Sequence, residues 1–89
     1  MTVEIITPAK ILCKVDNVTK LKAPGICGDF GVWKNHASFV TMLGDGQVTY
    51  TIEEEGTTKE ECYKIKDGFF GVINNRITIL ADQGEKIEN

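Results

Sequence analysis

Residues 28 to 38, GDFGVWKNHAS, hold the side chains best suited to chemistry in this chain. Asp29-Phe30-Gly31 spells the tripeptide that holds magnesium in protein kinases. His36, the single histidine, follows it, and Cys27 stands just before it. A kinase aspartate works only beside a phosphate-covering glycine loop, a strand lysine, a helix glutamate and a catalytic loop. The 89 residues contain none of these and are too few to hold them. Gly25, Gly28 and Gly31 recur every third residue, a spacing that matches neither the P-loop nor the dinucleotide fingerprint. No ATP binding or hydrolysis is expected. Cys27 and His36 share one region and suggest a thiol nucleophile, but no orienting third group or set of oxyanion donors accompanies them.

Metal binding fares no better. One histidine and three cysteines, Cys13, Cys27 and Cys62, lack the paired spacing of a closed four-ligand zinc site. Glu53-Glu54-Glu55 reads as a solvated hairpin tip rather than a cation cluster. Catalytic, metal and cofactor sites are therefore expected to be absent. Cys13 and Cys62 read as small buried hydrophobes, and His36 as a hydrogen-bonded residue closing a loop. The glycines let the segment turn sharply and pass close to other backbone.

The bulk properties bound what such a segment can serve. A chain of 89 residues forms one domain, and folding it buries about 60–65% of the unfolded surface. That is one modest core, without room for a deep cofactor cavity. Thirteen acidic against ten basic side chains give a net charge of −3, which argues against nucleic acid as a partner. An odd number of cysteines without a C-x-x-C pair suits a reducing compartment. MTVEIITPAK is not a signal peptide, and no apolar run approaches the ~20 residues of a membrane span. A cytosolic protein that docks on other chains is expected, without membrane insertion.

The dominant period is two. Val48, Tyr50 and Ile52 alternate with polar neighbours, as do Tyr63 with Ile65 and Ile77 with Ile79, which marks antiparallel sheet packed on one side. Gly44-Asp45-Gly46, Glu55-Gly56-Thr57, Asp67-Gly68 and Asn74-Asn75 supply turn chemistry, Asn74-Asn75 most clearly. Thr2–Ile6 reads as a strand. Thr7-Pro8 resembles a helix start that would run across residues 8–22, but β-branched residues and Asp16-Asn17 favour two strands, near residues 11–15 and 18–22. The expected fold is an all-β antiparallel sandwich, or flattened barrel, of short strands. It occupies residues 1–82, and a polar tail, residues 83–89, frays. Residues 23–38 form a long ordered loop whose Phe30, Val32 and Trp33 either cap the core or anchor a partner.

The stretch PGICGDFGVWKNHAS resembles the signature segment of the epsilon subunit of F-type ATP synthases, also the mitochondrial delta subunit. Pro24, Gly25, Gly28, Asp29, Phe30, Gly31, Val32, His36 and Ala37 match its pattern. TPAKIL and KDGFFGVINNRITILAD resemble that family's first-strand exit and last hairpin. A proline common after the His-Ala pair is Ser38 here. The resemblance implies a non-catalytic β-sandwich of the central stalk. It would bind the gamma subunit, rest on the polar loops of the c-ring, and couple proton or sodium flow to ATP synthesis. The location implied is peripheral, on the cytoplasmic face of an energy-transducing membrane, most naturally a bacterial inner membrane. Asp29, Phe30, Gly31 and His36 become the partner-binding residues, with Asp29 facing the c-ring and His36 near gamma. Members commonly continue into a helical hairpin that restrains hydrolysis and in some binds ATP, so coupling without that brake is expected of residues 1–89. The competing readings are a stand-alone sandwich that binds a ligand or peptide, and a small cysteine-dependent enzyme.

Overall fold

Asn74 and Asn75 adopt φ values of 48° and 62°, the left-handed backbone that asparagine tolerates and a two-residue hairpin demands. They join the two longest strands in the computed structural model, which describes residues 1–88. The strands are β1 (Thr2–Ile6), β2 (Ile11–Val15), β3 (Val18–Gly25), β4 (Gly28–Trp33), β5 (Phe39–Leu43), β6 (Gly46–Glu54), β7 (Thr57–Ile73) and β8 (Arg76–Ile87). The described residues contain no helix. Residues 8–22 follow their β-branched pattern into β2 and β3, turning at Asn17 with φ 63°.

The hydrogen-bonded order is β2-β1-β8-β7-β5-β3-β4, with β6 joining β3 to β7. β7 makes the second layer possible. Its first part pairs with β6 through Ile65, and its last part pairs with β5 from Gly68 onward. One strand thereby belongs to both faces of the sandwich. Pairing is antiparallel as expected, except that β1 lies parallel to β8, Val3 beside Ile77 and Ile5 beside Ile79.

Three expectations need correction. Asp67-Gly68 is no turn. Asp67 takes φ 49°, but the β7–β8 ladder steps from Lys66↔Gln83 to Gly68↔Ala81 and continues. Asp67 lies opposite Asp82 at one unpaired step of a ladder that keeps its register, and both strands bend there, so that the inward side of β7 changes from Tyr63 and Ile65 to Phe70 and Val72. Residues 23–38 are not one long loop, because β3 runs to Gly25 and β4 starts at Gly28, leaving only Ile26-Cys27 as the turn. Nor do residues beyond Asp82 fray as a tail. β8 continues to Ile87, opposite Cys62, and Gly84 lies under Leu12; Asn89 lies outside the described residues.

The core holds Val3, Ile5, Val18, Leu21, Val32, Val48, Tyr50, Phe70, Val72, Ile77 and Ile79, all at most 2% exposed. Cys13 and Cys62 are half-buried rather than buried, and Cys27 is exposed. At the margin of the core Tyr50 stacks on Tyr63 with ring centroids 6.1 Å apart. The Tyr50 hydroxyl donates to Glu61 Oε2 at 3.0 Å. Lys59 and Lys86 approach the same carboxylate at 3.2 and 3.6 Å. Burial pushes the Glu61 carboxyl up, but the Tyr50 and Lys59 hydrogen bonds and the Lys86 charge outweigh it, and the net direction is downward. Burial pushes the thiol of Cys13 and the hydroxyls of Tyr50 and Tyr63 up, so all three stay protonated at neutral pH.

The bend at Gly68 and the Glu61 cluster can each be tested by substitution. A Cβ at Gly68 would run into the Leu80 carbonyl oxygen, whereas one at Gly71 would meet only Val40 Cγ2 at 3.9 Å. Gly68→Ala should cost on the order of 1–3 kcal/mol in thermal unfolding, and Gly71→Ala should change little; equal effects would contradict the close approach at Gly68. Because Glu61 is lowered when folded, it stabilises the fold above its ordinary value of 4.5, and that contribution is lost as pH falls through the folded value. Glu61→Gln should therefore flatten the fall in melting temperature between about pH 5 and pH 3. An unchanged slope would contradict the assignment.

Candidate docking surfaces

The β3–β4 hairpin carries the segment singled out by sequence. Gly25 pairs with Gly28 across the turn, and a Cβ at Gly25 would meet the Gly28 carbonyl oxygen at 2.6 Å and the Phe30 ring at 2.9 Å. Only a glycine lets the hairpin close this tightly over an aromatic ring. Alternation then sends Phe30 and Val32 inward and Asp29 and Trp33 outward. Phe30 sits half-buried, edge-on to Phe39 at 5.8 Å and to Phe70 at 5.0 Å. Gly31 lies directly under the Trp33 indole, which would sit 2.9 Å from an added Cβ. Asp29 is exposed and pairs at 3.8 Å with Lys22 on the neighbouring strand. Both ends of that pair are more than 60% exposed, so it contributes little to stability.

His36 lies beyond the hairpin, in the connection from β4 to β5. Its backbone N–H donates to the Trp33 carbonyl at 3.2 Å, Nδ1 lies 2.7 Å from the Ala37 carbonyl, and its ring rests 5.1 Å from that of Phe39. It is a hydrogen-bonded loop residue, as its sequence suggested, and it is exposed. A reciprocal asparagine clamp fixes this connection to the β7–β8 turn. The Asn35 N–H donates to Asn75 Oδ1 at 2.6 Å and Asn75 Nδ2 donates to Asn35 Oδ1 at 3.1 Å. Sequence reasoning missed that clamp. Cys27, Asp29, Phe30, Gly31 and His36 all border one shallow groove between β4 and β5. The four residues named for partner binding are thus brought to one place, Asp29 and His36 as surface and Phe30 and Gly31 as support. Among the described residues no group of three or more His, Cys, Asp or Glu comes together as a metal site. Glu53, Glu54 and Glu55 are solvated at the β6–β7 tip.

A larger surface was also missed. Ile6, Leu80, Phe69 and Met42 are cross-strand neighbours on β1, β8, β7 and β5, so they stand in one row on the outer face of that layer. Phe69 is 51% exposed, Met42 50% and Leu80 48%. On the same face Val40 is exposed two residues from Met42, and Ile73 four residues from Phe69. Ile26 joins the row from the hairpin tip, where its N–H donates to the Met42 carbonyl at 3.1 Å. Ile26, Met42, Phe69 and Leu80 line one concavity with Ile6 and Pro8. A contiguous apolar strip of this kind on a small domain marks an interaction site. The sequence signal was the run of adjacent apolar residues in GFFGVI and ITILA, which supplies both faces of a strand rather than one.

The family described as the ATP synthase delta/epsilon chain, beta-sandwich domain, matches residues 1–87. The chain belongs to that family. An ATP synthase epsilon chain of Anaeromyxobacter sp. strain K is 41% identical over 85 residues, covering 96% of this chain and 61% of the relative. That of Desulfosudis oleivorans is 36% identical over 89 residues, covering the whole chain and 64% of the relative. The 89 residues therefore span somewhat under two thirds of these relatives. Among solved structures, the chain resembles one in the Tetrahymena thermophila mitochondrial ATP synthase central stalk and c-ring, with TM-score 0.76 and 16% identity over 96% of this chain and 65% of that one. A chain of the Euglena gracilis mitochondrial ATP synthase matches with TM-score 0.77 and 22% identity, over 94% of this chain and 51% of that one. At those identities the likeness speaks for the fold, a delta/epsilon-type β-sandwich.

Proposed function

We propose that this sandwich is a non-catalytic part of the rotor stalk of an F-type ATP synthase. It binds the gamma subunit through the outer face of β1, β8, β7 and β5 and meets the c-ring with the β3–β4 hairpin. In that role it helps hold the stalk to the ring, so that proton or sodium flow turns both together. The work is peripheral to the membrane, on the cytoplasmic side, and no helix among the described residues is long and apolar enough to cross a bilayer. The observation that carries this reading is the row Ile26, Met42, Phe69 and Leu80. Family membership supplies the partners, and the surface supplies the means.

The two contacts differ in kind. Long-lived interfaces are the more hydrophobic ones, and fully burying a side chain of this size is worth about 1.5–3 kcal/mol. The apolar row suits gamma, a partner that is never released during rotation. Asp29 offers a single exposed carboxylate, already shared with Lys22. Such a charge sets register and orientation against basic loop side chains more than it sets affinity.

The test compares variants on one measured affinity. Phe69→Asp places a charge in the middle of the row, and binding to gamma by calorimetry should weaken at least about tenfold. Asp29→Ala should fold normally and weaken attachment to the c-ring by no more than about fivefold, the value of an exposed ion pair. Full-strength gamma binding by the Phe69 variant would refute the assignment of this face, and a sharply lowered melting temperature for Asp29→Ala would make Asp29 a structural cap.

A further inference from the structure

β4 ends the second layer. It pairs with β3 alone, and its other edge has no strand beside it among the described residues. The backbone direction at that edge is fixed by two bonds. Ile26 N–H donates to the Met42 carbonyl, and Gly44 N–H donates to the Pro24 carbonyl. Pro24 and Ile26 therefore turn their peptide groups toward β5, and Gly25 between them turns toward β4. By the same alternation Gly28 and Phe30 face back to β3, while Asp29 and Gly31 turn N–H and C=O out of the sheet. Across the groove, Val40 has the same orientation as Met42, away from β7, three residues before Leu43, where β5 meets β3. The groove between β4 and β5 is thus bordered by two stretches of unpaired strand edge. Phe30 and Phe39 lie at its base, and Asp29 is the one carboxylate that borders it.

A row of main-chain donors and acceptors at strand spacing is complementary to another extended main chain, which is the basis of peptide recognition by strand addition. Natural sandwiches blunt such edges with lysine, proline or a covering loop. Here the residues offering backbone outward are Asp29 and Gly31, with one anionic side chain and no lysine or proline on β4. We propose that β4 accepts a short extended segment of a partner chain along this edge. That segment carries a lysine or arginine opposite Asp29 and an apolar residue turned inward over Phe30 and Phe39. The basic residue completes a charge triplet, because Asp29 already has Lys22 on its other side, and cross-strand neighbours on one face interact directly. Gly28 and Gly31 leave the edge bare enough for backbone to approach. The inference rests on the docking role for where the segment comes from, a chain of the rotor, and adds how the hairpin holds it.

Hydrogen exchange read by mass spectrometry tests it, on the chain alone and in the reconstituted motor with gamma and the c-ring. Attachment is scored separately, by co-migration of the chain with the motor. In the free chain the amides of Asp29 and Gly31 should exchange quickly. In the motor they should slow at least about tenfold, as amides entering a ladder do. Asp29→Lys should abolish the slowing in whatever share of the chain co-migrates with the motor. If the chain co-migrates and these amides still exchange at the free rate, strand addition is refuted and the docking role stands. If it does not co-migrate, the docking role fails and this inference fails with it.

Discussion

One crowded contact governs the architecture: Gly68 pressed against the Leu80 carbonyl, beside the bend at Asp67. A strand can serve two layers only if it bends without losing its ladder, and a residue at positive φ followed by one without a side chain allows that while the β8 register is kept. Before the bend β7 holds β6, and after it β7 holds β5. The bend also sets the phase of residues 69–73. Phe70 enters the core against Phe30 and Phe39, and Phe69 is left on the outside between Met42 and Leu80. A slip of one residue would exchange the two phenylalanines and dissolve the apolar row. The exposed apolar face is thus a consequence of the same constraint that closes the sandwich.

The opposite margin is held differently. Cys13 of β2 meets Tyr50 and Tyr63, and Glu61 gathers a hydroxyl and two lysines at the surface of that cluster. The Glu61 bonds are directional, partly solvated and run between the neighbouring strands β6, β7 and β8, so they align those strands more than they drive association. The asparagine clamp between residues 35 and 75 works similarly at the far end, tying the His36 connection to the β7–β8 turn. Both fastenings are polar, and the row through Met42, Phe69 and Leu80 stays exposed.

Much of this was legible in the chain. Alternation in residues 47–52, 62–66 and 76–80 placed three strands, and the Asn74-Asn75 turn placed the hairpin joining β7 to β8. Asp67-Gly68 misled because a strand bend and a turn ask the same local chemistry, positive φ beside a glycine; only the continuing β8 ladder separates them. Residues 23–38 misled because Pro24 and the glycines hide the alternation that Leu21, Ala23, Phe30 and Val32 keep on the inside. The polar strand after Asp82 was illegible because its support is tertiary, from β7 and Leu12. Of the candidate site, the motif located Asp29 and His36, while the row through Phe69 required knowing which strands lie side by side.

The central claim is that the outer face of β5, β7 and β8 is buried against a stalk partner. Site-specific photocrosslinking from position 69 in the assembled motor tests it most directly. A photoreactive phenylalanine analogue there should give a single adduct with the gamma subunit, and the same probe at Glu60 on the exposed part of β7 should give none. Adducts from position 60 with none from position 69 would contradict the account.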